Sequence, residues 1–401
     1  MYIRRDRSRL HFGHQRRGRQ AGLLAALAVV LALTGLVAWQ FERLEREVAA
    51  LFGPPATPTP SAPMVARQAY LSYVNGDLAA AADGYAAALA MEPDNADYLY
   101  EYAHCLLLLN RGEEGLSAAE RLAALAPGDP RGQALQVLAL YQLNRLDEAI
   151  AIGLSVIEAH PTYAETYAYL AWAYADIGRW MQAVQMGERA VELNPDSVDA
   201  YRAYAYALTW VGDRESAIKA LERAIELHPT LDFLYFEAAE KYRALENVPA
   251  AIAAYERVLA IKPTNTRALL RLCETYFNLR EDARAQEYCE QALAIDPTYA
   301  DAWRQVGLVY YQQGLYQRAV DAFEQCIAFG SESIFCWYVR GLAYYYLGRC
   351  DLAVPILHES MTRTQSDRVL GFIREGLRLC NQDPTPLLPG ETPAATETPT
   401  G

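Results

Sequence analysis

The chain has 401 residues, 36 basic and 49 acidic side chains for a net charge of −13, and 52% hydrophobic against 21% charged residues. A chain this apolar buries enough surface to offset its ordering entropy, so wholesale disorder is excluded; 24 glycines and seven cysteines exclude collagen-like and disulfide-miniprotein classes. Residues 1–20 hold seven arginines and one aspartate, leaving 29 basic against 48 acidic residues in the remainder, a balance that repels phosphate backbones and argues against nucleic acid as a partner.

In chain order, residues 1–20 read as a basic cytoplasmic tail and residues 21–41 as a transmembrane helix. Residues 21–38, AGLLAALAVVLALTGLVA, carry no charge, and as a helix they span about 27 Å, close to the hydrocarbon thickness of a bilayer. Trp39 and Phe41 fall at the expected interface. The positive-inside rule keeps the arginines in the cytoplasm and sends the body across, predicting a single-pass cell-membrane protein in contact with the lipid bilayer through residues 21–41. The rival is a cleaved signal peptide, disfavoured by the length of the run and by the poor cleavage sequence Leu36-Val37-Ala38 before a bulky Trp39. Either reading leaves the body extracytoplasmic. Residues 42–61 form a juxtamembrane segment and linker. Phe41, Leu44, Val48 and Leu51 recur at helical spacing, a pattern that offers a short coiled-coil seam for self-association, and a Pro-rich stiff spacer follows.

A repeat occupies residues 62–365. Prolines fall at Pro93, Pro127, Pro161, Pro195, Pro229, Pro263 and Pro297, each step being 34 residues. A period of that size signals a solenoid of stacked supersecondary units. Each period holds two amphipathic helical stretches: in residues 164–197, Tyr167, Leu170, Ala171 and Tyr174 form one stripe, Gly178 breaks it, and Ala183, Gly187 and Ala190 form the next. Asn194-Pro195 ends the second helix, because proline disfavours helical backbone in its predecessor. Nine such units begin at Ala62, Ala96, Pro130, Ala164, Val198, Asp232, Thr266, Ala300 and Ile334. Residues 366–382 read as a solvating cap helix and residues 383–401 as a disordered Pro/Thr-rich tail.

Aligned on the prolines, Trp303, Val306, Gly307, Tyr310, Ala319, Phe323 and Cys326 resemble the tetratricopeptide repeat unit, as do Trp337, Gly341, Tyr344, Gly348 and Ala353 in the next. The resemblance implies an all-α, right-handed superhelical solenoid whose first helices line a concave groove for peptides or protein segments. It places unit positions 5, 9, 12 and 13 inward, which here include Tyr141, Trp172, Arg202, Tyr206, Trp210, Phe236, Arg243, Phe277, Arg304, Tyr311, Tyr338 and Tyr345. Tyrosine suits such a wall because its hydroxyl can remain wet, although aromatics also serve as filler between helices. The carboxylate clamp of one family subset is absent: its positions hold Ala66, Tyr70, Glu101, Arg131 and Leu135.

No catalytic constellation stands out among the six histidines, and neither a cofactor nor a metal is expected. Seven cysteines comprise Cys105 and six in the last third. Placed on the repeat, they suggest the pairs Cys273–Cys289, Cys326–Cys336 and Cys350–Cys380, the alternative being small buried thiols. The sequence reads as a non-enzymatic, membrane-anchored scaffold that binds a protein or peptide ligand and organises an envelope or secretion assembly. Its rivals are a cell-wall glycan-binding module and a structural self-assembling array.

Overall fold

The structure, a computed structural model, describes residues 29–30, 32–41, 43–45, 47–48 and 60–381. The chain divides into two units, Met1–Ser61 and Ala62–Gly401. In the first, the described residues from 29 to 48 are helical, and among the described residues no helix is long and apolar enough to cross a membrane. The basic tail 1–20, the first eight residues of the expected span 21–41, linker residues 49–59 and the tail 383–401 lie outside the described residues.

The second unit is an all-helical solenoid. First helices run Ala62–Val74, Ala96–Leu108, Pro130–Gln142, Ala164–Asp176, Val198–Trp210, Asp232–Ala244, Thr266–Asn278, Ala300–Gln312 and Ile334–Tyr346. Their partners run Leu78–Met91, Gly112–Leu125, Leu146–Ala159, Trp180–Leu193, Arg214–Leu227, Val248–Ile261, Asp282–Ile295, Tyr316–Ala328 and Cys350–Thr362, and Asp367–Leu379 closes the array.

The turn inside every unit has one physical cause. The fifteenth residue takes positive φ, whether it is glycine, as at Gly76, Gly178 and Gly314, or Asn110, Asn144, Glu246 and Arg280. The next amide then donates back to a carbonyl five residues earlier, as Asp77 N–H does to Ser72 and Arg111 N–H to Leu106, at 2.9 Å each. That left-handed cap satisfies the carbonyls at the helix end and reverses the chain. Between units, Asn95, Asp129, Ser197 and Asn265 accept from the first amides of the following helix.

Small residues set the distance between paired helices: Ala171, Ala183 and Ala190 are fully buried, as are Ala239 with Ala251 and Ala103 with Ala119. A Cβ at Gly187 would press on the Tyr204 backbone, so helices of successive units approach to contact there. Three disulfides fasten the last units: Cys273–Cys289, Cys326–Cys336 and Cys350–Cys380, with Cα separations of 5.4, 6.3 and 5.6 Å. Cys105 is a free, buried thiol. Pro355 lies at the sixth residue of Cys350–Thr362, so the helix lacks one interior N–H donor.

Candidate functional site

The first-helix face of the solenoid divides into a closed part and an open part. In the closed part, units 1 and 2 reach units 5 and 6. Thr230 donates its hydroxyl to the Val74 carbonyl at 2.6 Å, and the Tyr73 ring stands edge-on to His228 at 4.9 Å. Leu78, Ala224, Leu231 and Leu234 form one apolar cluster with Tyr73, Leu108, Leu109 and Phe233 packed around it. From the unit 2 first helix, His104 Nε2 meets Asp199 Oδ2 of unit 5 at 3.1 Å.

Asp199 is the hub of this closure. The Tyr169 hydroxyl donates to it at 3.0 Å, and Arg202 donates to its second oxygen at 3.2 Å. Arg202 continues to Glu237 at 2.7 Å and lies over the rings of Trp172 and Phe233, at 5.3 and 4.5 Å from their centroids. Burial disfavours a charged Asp199, yet the hydrogen bond and charge of His104 and the charge of Arg202 outweigh it and hold the carboxyl well below its usual range. Burial likewise disfavours the His104 imidazolium, but its bond to Asp199 and the charges of Asp199 and Glu101 push its pKa up. Both oxygens of Asp199 thus accept from protein donors, which suits a latch. Beside it lies a cavity of about 360 Å³ lined by Tyr73, Tyr100, Glu165, Asp196, His228 and Phe233, among others.

The aromatic residues expected in a groove differ in how far their neighbours cover them. Trp172 is only 7% exposed, stacked between Tyr141 at 5.9 Å and Tyr169 at 5.8 Å. Tyr141 is half-buried with it. Tyr206 donates to Asp176 and stands edge-on to Trp210 at 6.1 Å. Trp210 is 46% exposed and stacks on Trp180, with centroids 6.2 Å apart and an interplanar angle of 10°.

From unit 6 onward the same face carries a ladder of alternating charge. Arg271 bridges Glu240 at 3.1 Å and Glu274 at 2.7 Å, and Arg304 joins Glu274 and Asp301 at 3.4 Å each. Arg243, exposed, pairs with Glu240 at 2.6 Å. Beside the ladder, Phe236 stands edge-on to Tyr255 at 5.6 Å with Arg267 over its face at 4.7 Å, and Phe277 is half-buried. At the far end Tyr311, Tyr316, Tyr345 and Tyr346 form a cluster, and Tyr338 lies buried between Phe335 at 5.7 Å and Phe372 at 6.4 Å. Among the described residues no group of His, Cys, Asp or Glu could hold a metal ion.

His104, Asp199, Tyr169 and Glu237 are not among the groove residues that the repeat phase marks. His104 does occupy an inward ninth position, and a histidine there facing an acidic second position was the available signal. Trp180, Tyr316 and Cys350 were a second signal. They are the seventeenth residues of their units and meet Trp210 and Tyr346, the thirteenth residues of the next units, and Cys380, which caps the closing helix.

Models of the tetratricopeptide repeat match residues 75–138, 153–185, 170–232, 242–287 and 272–334, together more than half of the chain. No curated protein matches. Among solved structures, the APC/C hetero-tetramer Cut9–Hcn1 aligns with a TM-score of 0.56 at 19% identity, over 75% of this chain and 59% of that one. This chain therefore spans less than two thirds of that structure's chain. The human IFIT1 dimer with m7Gppp-AAAA aligns with a TM-score of 0.51 at 14% identity, over 81% of this chain and 76% of that one. At these identities the likeness is one of fold.

Proposed function

The chain belongs to the tetratricopeptide repeat family, a family of protein-interaction scaffolds, and from that membership we propose a membrane-anchored, extracytoplasmic scaffold that holds a partner segment along the first helices of units 5–9. The observation that carries this reading is the exposure of aromatics on that face: Trp210 of unit 5 and Tyr346 of unit 9 are 46% and 52% exposed, whereas Trp172 of unit 4 is 7% exposed. Large aromatics left half in water beside a ladder of satisfied charges suit an extended segment with apolar anchors and backbone amides. The uncharged run 21–38 behind an arginine-rich tail supports the anchor, and three disulfides support an oxidising compartment. An assembly role in the envelope or in secretion follows from that placement.

The test is photo-crosslinking in native membranes from Trp210 and Tyr345, with Trp172 as the buried control. A protein adduct from the two open positions and none from Trp172 is the expected result. Adducts that appear equally from all three, or recovery of wall glycan with no protein, would remove the reading. Protease added outside intact cells should digest the repeats and spare an N-terminal tag; protected repeats would remove the extracytoplasmic placement.

A further inference from the structure

The closure between early and middle units frames a space as well as making contacts. The cavity of about 360 Å³ beside Asp199 takes one wall from the first helices of units 1 and 2, through Tyr73, Tyr100 and His104. The other wall comes from units 4 to 6, through Glu165, Asp196 and Phe233. The cavity therefore exists only while the two parts meet, and its volume suits a small molecule or a single side chain better than a peptide.

The charges around it do not balance. Arg131 lies over the Tyr100 ring at 5.3 Å but is shared between Asp97 at 2.9 Å and Asp129 at 2.7 Å. Arg202 is committed to Asp199 and Glu237, and His104 to Asp199. Glu165 accepts from a neutral donor, the Asn194 amide, at 3.2 Å, and Asp196 is exposed in the turn before unit 5. Both carboxylates thus face the cavity without an ion pair among the described residues, and no lysine lines it.

His228 adds an acceptor. The Thr230 hydroxyl gives its one hydrogen to the Val74 carbonyl, so it must accept in its 3.1 Å contact with His228 Nδ1, which places the ring hydrogen on Nδ1. Burial lowers the His228 pKa, so the ring stays neutral near neutral pH and Nε2 carries a lone pair. Burial first, and then the charges of Asp199 and Glu165 respectively, push the Tyr73 and Tyr100 hydroxyls up, so both rings stay uncharged. Carboxylates, an imidazole acceptor and neutral aromatic walls are complementary to an ammonium, which is all donor and positively charged.

We propose that this cavity is a site for a primary alkylammonium group, held by Glu165 and Asp196 with His228 Nε2 and the Tyr73 and Tyr100 rings, and that its occupant clamps units 1 and 2 onto units 5 and 6. Two sources share this chemistry, a free amine and the lysine side chain of a partner. The site belongs to the closed part of the solenoid and is independent of the open first-helix face.

Calorimetric titration of the full chain in neutral detergent with n-butylamine, with Nα-acetyl-lysine methylamide and with 1-butanol is the test. The expected result is saturable binding of an amine at a single site per chain and none of the alcohol. Tighter binding of butylamine assigns a free amine, and tighter binding of the lysine derivative assigns a partner's side chain. Glu165→Gln and Asp196→Asn should each weaken the amine roughly tenfold, as loss of a charge-assisted hydrogen bond does. Asp196 stands exposed in a turn, so its variant tests the site without threatening the fold. Bound amine should also slow hydrogen exchange within Ala62–Val74, because it binds only the closed arrangement. No saturable binding, equal binding of the alcohol, or an affinity indifferent to both carboxylate variants would overturn the site. Binding that leaves exchange in Ala62–Val74 unchanged would overturn the clamp.

Discussion

Two tryptophans on one face of the solenoid carry different burdens. Trp172 lies between Tyr141 and Tyr169 beneath Arg202, so Trp172→Ala leaves a cavity and removes one of the two rings against the guanidinium, with an expected loss of about 3–5 kcal/mol. Trp210 loses only its stack on Trp180 and its contact with Tyr206, so Trp210→Ala should cost about 1 kcal/mol or less while removing partner crosslinks. Denaturant titration of both variants decides it, and equal losses would refute the division of the face. His104 supplies a prediction in pH. Its pKa is raised on folding, so its contribution is complete below the ordinary imidazole value of about 6.5 and is lost as pH climbs through the folded-state value. Asp199, whose pKa is depressed, holds its contribution above about 3.9 and loses it on acidification. The stability gap between the native chain and His104→Ala should therefore be widest near pH 5–6, about 2 kcal/mol, and shrink as pH rises through the raised folded-state value. Paired thermal melts across that range measure it; a gap that stays constant would show that the imidazole serves only as packing.

At the scale of elements, the last three units and the closing helix depend on covalent staples. The loops closed by Cys326–Cys336, Cys273–Cys289 and Cys350–Cys380 lengthen in that order, with sequence separations of 10, 16 and 30. Chain-entropy reasoning then ranks their contributions the same way, from roughly 2.7 to roughly 3.7 kcal/mol. Replacing each pair by serine and comparing denaturation midpoints tests the order. Loss of Cys350–Cys380 should also speed hydrogen exchange within Asp367–Leu379 before it affects the other helices, because that helix packs against neighbours on one side only. Uniform loss of protection along the whole array would contradict the local role. Within each unit the fifteenth residue was readable as a turn where it is glycine; Glu246 and Arg280 adopt the same positive φ because the repeat imposes it from both sides.

The whole solenoid turns on a contact that no single unit specifies. Gly76, at φ +83°, lies so close to Thr230 that an added Cβ would run into the Thr230 carbonyl oxygen. Gly76→Ala should therefore push units 1 and 2 away from units 5 and 6 and leave each helix pair intact. Spin labels on exposed Gln68 and Glu226 should report a longer and broader distance distribution at unchanged helical content. An unchanged distribution would mean that His104, Asp199 and the apolar cluster around Leu231 hold the closure without the Thr230–Val74 bond.

The amino-acid sequence by itself determined the repeat, its phase and its family, because each of those is a local property. Two helices, a left-handed turn and a capping residue recur within 34 residues, and proline steps from Pro93 to Pro297 keep the count. The phase also tells which side chains share the first-helix face. It does not tell that Trp172 is covered while Trp210 remains in water, or that Arg202 is spent on Asp199 and Glu237. Those contacts depend on how neighbouring units stack, whereas the meeting of His104 with Asp199 depends on where unit 5 stands relative to unit 2, which sums several small inter-unit rotations, each set by how closely residues such as Gly187 let neighbouring helices approach. His104 and Asp199 are 95 residues apart and Val74 and Thr230 are 156 apart, so only the folded solenoid brings them together.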